Sequence, residues 1–187
     1  MKKFLTILSV VIFLLNPIYA NAISWSLEYD DPQVRQYVDA AEKTTDYKER
    51  QANYKAAINA IDKTNLTVDN ARLLAGLNYS YATEEAKNSK RVSAYKYYWT
   101  AYNYLKRKMV HKNDSLALAC LIGALNTIST RADEVKVLKT IEATQMGLAE
   151  AYPQEFKYIH SMLAEYYSLA GNNVKAKRYK AKAGVNN

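Results

Sequence analysis

What most constrains this chain is how little interrupts its helical rhythm. From residue 23 onward the only strong breakers are Pro32, Pro153, Gly76, Gly123, Gly147, Gly171 and Gly184. Apolar residues recur at three- and four-residue spacing almost throughout, which places them on one face of a helix, while strand-like alternation is scarce. The expected fold class is all-α. Eight helices are expected. The first runs from Asp31 to about Lys43, the second from Asp46 to about Lys63, and the third from just after Thr67 to about Ala86. The fourth covers about Lys90 to Met109, the fifth follows Asp114 to about Ser129, and the sixth covers about Ala132 to Glu150. The seventh runs from Pro153 to before Gly171, and the eighth from about Asn173 to Ala183. Asp46 is a good N-cap and Pro32 suits a first helical turn. The connections are short, so successive helices should lie antiparallel as neighbours.

The first 22 residues read differently. Lys2 and Lys3 precede an apolar run from Phe4 to Leu15, and Ala20-Asn21-Ala22 supplies small residues. Charge, length and end chemistry are those of a secretory signal peptide, with cleavage expected after Ala22. The alternative is an uncleaved anchor, but the run is short for a span, which needs about 20 apolar residues. Residues 23–187 are expected to form a single domain. Residues 23–30 are expected to be an extended lead-in whose Trp25 packs on the first hairpin. No second apolar run approaches a span, so stable membrane insertion after cleavage is not expected. Without Lys2 and Lys3 the chain holds 24 basic and 18 acidic residues. That excess is moderate and spread out, so it gives no reason to expect nucleic acid as a partner.

The hairpin pattern is clearest in residues 162–183, MLAEYYSLAGNNVKAKRYKAKA. Leu163, Ala164 and Tyr167 line one helix, Gly171-Asn172 makes the turn, and Ala176, Tyr179 and Ala183 line the next. Small residues let the two helices approach, and aromatics fill the space beside them. This unit resembles a tetratricopeptide (TPR) repeat, with Lys180 where that family usually has an aromatic. Earlier pairs match less closely. Val34, Tyr37, Val38 and Ala41 are followed by Tyr54 and Ala57, with Arg50 where an alanine is expected. Ala75, Gly76 and Tyr79 precede Ala94, Tyr98 and Ala101. Leu121, Ala124, Leu125 and Ile128 precede Asp133, Val137 and Ile141. The resemblance implies antiparallel helix hairpins stacked as a short TPR-like α-solenoid. The alternative is a plain helical bundle, which contains the same antiparallel pairs.

Tyrosine is abundant, at 17 residues, and clusters in AYKYYWTAYNY, residues 94–104. On a helix Ala94, Tyr98, Ala101 and Leu105 form one stripe, expected in the core. Tyr95, Trp99 and Tyr102 form a neighbouring stripe. It either packs against a flanking helix or lines a binding groove, where rigid aromatics with polar tips serve as anchors. Tyr81, from the preceding helix, is expected to meet Tyr95, Trp99 and Tyr102 at one side of that groove. The TPR resemblance adds inner-groove positions at Leu73, Leu77, Ser80 and Tyr81, and at Tyr158, Ser161, Glu165, Ser168 and Leu169. The expected occupant is a protein or peptide, held as a helix or an extended segment.

Catalytic chemistry is not legible. His111, His160 and the lone Cys120 lack metal-ligand spacing, and no phosphate loop or nucleophile elbow is present. Cys120 lies in the apolar run LALACLIGAL and is expected in the core. Glu84-Glu85 and Asp133-Glu134 read as helix-end charges. The run KRKMVHK, from Lys106 to Lys112, closes the fourth helix, where cations favour the macrodipole; its other reading is contact with an anionic partner such as membrane headgroups or a cell-wall polymer. The terminal KAKRYKAK reads as a solvated face with Tyr179 turned inward. The expected function is a noncatalytic protein- or peptide-binding adaptor or assembly factor in the bacterial envelope, periplasmic or secreted, without cofactor or metal. The alternative is a binding module for an anionic or aromatic small ligand or cell-wall polymer in the same groove.

Overall fold

A computed structural model describes residues 31–184. The signal segment, its cleavage point and the lead-in around Trp25 lie outside the described residues. Eight α-helices follow one another: α1 (Pro32–Lys43), α2 (Tyr47–Ala60), α3 (Val68–Lys87), α4 (Arg91–Arg107), α5 (Ser115–Thr127), α6 (Arg131–Thr144), α7 (Pro153–Leu169) and α8 (Asn173–Lys182). No strand occurs among the described residues. The protein is all-α, and each helix packs on the next in sequence.

Local chemistry sets the starts. Asp31, Asp46, Thr67, Asp114, Thr130 and Asn172 each accept a backbone N–H of the first turn they precede. These bonds satisfy amides that have no partner within the helix. The α7–α8 turn is closed by Asn172 N–H donating to the Tyr167 carbonyl at 2.8 Å. Gly171 there has φ +73°, a conformation that glycine adopts without a Cβ clash.

The interior falls into two regions that share α3. On one side Leu74, Leu77 and Tyr81 pack with Val34, Val38, Ala41, Tyr54 and Ala57 of α1 and α2. On the other, Ala75, Tyr79 and Ala82 join α4, α5, α6, α7 and α8. The most enclosed helix is α5, buried at 11 of its 13 residues, including Cys120. Gly123 lets α4 approach it: a Cβ there would lie 2.5 Å from the Tyr98 ring. Burial pushes the Tyr98 phenol up to about 12.

Polar clamps join the hairpins. Arg50 of α2 donates to the carbonyls of Ala41 and Thr44 and pairs with Glu84 of α3 at 2.9 Å. Glu85, 3 % exposed, accepts from Tyr47 and Gln51. The adjacent glutamates therefore do more than mark a helix end. Both reach back to α2: Arg50, where the repeat resemblance expects an alanine, pairs with Glu84, while Tyr47 and Gln51 meet Glu85. At the other end Glu142 of α6 accepts from Tyr179 at 2.8 Å, from Tyr167 and from Lys175. Burial works to raise the Glu142 carboxyl, but these donors outweigh it and hold it below the usual range.

The sixth helix was expected to reach Glu150 and instead stops at Thr144, followed by a 3-10 turn at Met146–Leu148. Tertiary bonds end it. Asn113 N–H donates to the Thr144 carbonyl at 2.8 Å, and Gly147 N–H donates to the Asn113 side chain at 2.9 Å. The fully buried Gln145 donates to the His111 carbonyl and accepts from Asp114 N–H. The α4–α5 loop thus captures the end of α6.

Two substitutions test this packing by thermal or denaturant unfolding. Ala176 is one of two buried residues of α8. Ala176→Leu should overfill its contact with α7 and destabilise by about 1–3 kcal/mol. Gly123→Ala should displace the Tyr98 ring and cost a similar amount, about 1–3 kcal/mol. An unchanged melting temperature in either variant would mean that the helices are not this close.

Candidate functional site

The aromatic stripe of α4 remains a unit. Tyr95 and Trp99 stack with ring centroids 6.5 Å apart, and Trp99 lies 5.5 Å from Tyr102. The stripe continues into the following loop, where Tyr102 meets the His111 ring edge-on at 5.8 Å. Its side chains reach α6 at Asp133 and Lys136. The Tyr95 hydroxyl donates to Asp133 at 2.9 Å. The Lys136 ammonium sits 4.1 Å from the Trp99 ring centroid, a cation–π distance. Burial and the bond to Asp133 push the Tyr95 phenol well above its ordinary value. The Asp133 carboxyl is held low by its bonds from Thr130 and Tyr95. Tyr95 and Trp99 are half-buried, while Tyr102 is 1 % exposed and belongs to the core.

Tyr81 is not part of this group. It lies in the first core region, 2 % exposed, with its ring 4.3 Å from Tyr97 and its hydroxyl accepting from Gln51 at 3.1 Å. Tyr81 and Tyr95 leave the α3–α4 pair on different sides, so the expected four-aromatic meeting does not form. Leu77, at 1 % exposure, packs with Tyr81, and Leu73 lies half-buried at the edge of the same region. The face of α3 assigned to a groove is covered by α1 and α2. The groove also finds no floor on α5, which is enclosed nearly all round. Leu77, Tyr81 and Tyr102 are therefore core residues, and correct the sequence expectation.

The third set stays open. On α7 Ser161 is exposed, and Tyr158 and Glu165 are half-buried. Burial raises the Glu165 carboxyl, with Arg131 opposing and Glu134 reinforcing the shift. Arg131 and Glu134 pair on the first turn of α6, the turn that Tyr95 meets at Asp133. The first turn of α6 thus meets the α4 stripe at Asp133 and acts on the charge of Glu165 through Arg131 and Glu134. Lys136, one helical turn beyond Asp133, was not singled out from the sequence. Its spacing from Asp133 was visible, but its neighbour in another hairpin was not.

Other features carry no converging chemistry. No group of three or more His, Cys, Asp or Glu that could hold a metal occurs among the described residues. An open depression on the outer face of α1 is lined by Pro32, Arg35, Gln36, Asp39, Ala40 and Lys43, all from one helix. No helix among the described residues is long and apolar enough to cross a membrane.

Both histidines are buried, and His111 Nδ1 and His160 Nε2 have no hydrogen-bond partner. Burial lowers the pKa of each. Lys106 and Lys112 add to the effect at His111 against Asp114, and Lys182 adds to it at His160 against a backbone bond. A histidine whose folded pKa is depressed binds its proton more readily in the unfolded chain. The stability it contributes is present above the ordinary value of about 6.5 and is lost as pH falls below it. The melting temperature should drop between about pH 6.5 and 5, and His111→Phe/His160→Phe should flatten that slope. An equally steep fall in the double variant would place the acid sensitivity elsewhere. No family model, curated protein or solved structure matches this chain.

Proposed function

We propose that this protein is a noncatalytic binding scaffold of TPR-like helical hairpins, exported to the bacterial envelope, where it holds a protein or peptide partner as an adaptor or assembly factor. The observation that carries this reading is the α4–α6 seam. There a half-buried indole lies between Tyr95 and Tyr102 beneath the Lys136 ammonium. Rigid aromatics at a wet surface suit partner binding, because they lose little conformational freedom and offer large contact area. Tyr158, Ser161 and Glu165 on α7 are further candidates for partner contact, with Glu165 under the influence of Arg131 and Glu134 at the start of α6. Export rests on the charge and apolar pattern of residues 1–22.

A second reading has a specific observation in its favour. Lys136 over Trp99 pairs a cation with an aromatic face, which suits an anionic or aromatic small ligand. Recovery from envelope extract on the immobilised protein separates the two: a stoichiometric protein partner fits the scaffold, and a small molecule eluting without protein fits the ligand module. For the scaffold, Trp99→Ala should weaken the recovered partner by about 2 kcal/mol or more while the helical circular dichroism signal persists. A folded variant with undiminished binding would remove the seam from the function.

A further inference from the structure

The loop between α4 and α5 carries an exposed methionine, Met109, within a basic run. Its backbone is well defined. Val110 N–H donates to the Leu105 carbonyl at 3.1 Å, and Met109 N–H to the Lys106 carbonyl at 3.0 Å. This is a Schellman closure with Met109 in the left-handed position, at φ 57°. The α7–α8 turn closes in the same way with glycine, at Gly171. A methionine there bears conformational strain that glycine would not. Its side chain gains no packing in return, being 79 % exposed. Val92, Leu169 and Val174 are also exposed, but they occupy ordinary helical backbone. The loop is also anchored beyond the tip, through Gln145, Thr144 and Gly147.

Met109 is flanked in sequence by Lys106, Arg107, Lys108 and Lys112, without an acidic residue between them. Lys106, Arg107 and Lys112 are exposed. Lys106 and Lys112 both work to lower the pKa of His111. The nearest acid in sequence, Asp114, is occupied by Arg72 at 2.8 Å. The neighbouring connector adds one exposed acid, Glu150. The dipole of α4 accounts for Lys106 and Arg107 in its last turn. It accounts neither for Lys112 nor for a strained, solvent-directed methionine.

We propose that this loop docks peripherally on an anionic phospholipid bilayer, with Met109 entering the interface and Lys106, Arg107 and Lys112 meeting lipid phosphates. Cations near an anionic surface each add attraction, and an apolar tip adds what a soluble polyanion would not reward. A bilayer is thus favoured over a polymer by Met109.

The test uses the full chain carrying Met109→Cys labelled with an environment-sensitive fluorophore. Cys120 is fully buried, so the label goes to the loop. Vesicles of phosphatidylglycerol in phosphatidylcholine should shift the emission to the blue, and vesicles of phosphatidylcholine alone should not. In the unlabelled chain, Lys106→Gln/Arg107→Gln/Lys112→Gln should lower vesicle affinity about 100-fold, at roughly fivefold per cation. Met109→Gly should raise the melting temperature by relieving strain and still weaken vesicle binding, which separates docking from stability. The proposal is overturned if the label stays aqueous on bound vesicles, if the triple variant binds undiminished, or if soluble polyphosphate produces the same response.

Discussion

Because α5 has almost no polar face, it has to be surrounded. Eleven of its 13 residues are buried, and its sequence from Leu116 to Leu125 holds no charged or hydroxylated side chain. A helix apolar all round is stable only when neighbours cover every side. Here α3, α4 and α6 pack against it. The cover is tight: Gly123 admits the Tyr98 ring where any Cβ would clash. With the middle of the array committed to α5, surface for a partner remains at the seams between outer helices and at the loops.

The hairpins at either end are held by buried or half-buried carboxylates. Arg50 and Lys87 pair with Glu84, and the Glu142 carboxylate gathers Tyr167, Tyr179 and Lys175. A buried ion pair is a poor source of net stability, since desolvation offsets much of the attraction. Removing one partner is nevertheless costly, and the geometry fixes which helix meets which. These clamps specify the docking of α2 on α3 and of α7–α8 on α6, while the apolar faces supply the driving force.

Much of this order was legible locally. Asp46, Thr67 and Asp114 announced helix starts, Gly171 announced a turn, and Tyr179 was rightly turned inward, because each depends on chemistry within a few residues. What failed depends on distant partners. Glu84 and Glu85 read as end charges because Arg50, Tyr47 and Gln51 lie more than 30 positions away. The early end of α6 follows from Asn113 and Gly147, 34 positions apart. The TPR resemblance put Leu77 and Tyr81 on a groove face of α3 but could not say that α1 and α2 cover it. For the candidate site, the stripe Tyr95, Trp99 and Tyr102 was legible as a helix face. Its orientation toward Asp133 and Lys136 was not, since that is set by how two hairpins pack.

Native-state hydrogen exchange, resolved by residue, tests the enclosure of α5 most directly. Its amides should exchange only through global unfolding, at the slowest rates in the protein, while those of α1 and α8, each open on one side, exchange faster through local opening. Exchange in α5 as fast as in α1 or α8 would contradict the account, because an exposed α5 could not organise the helices around it.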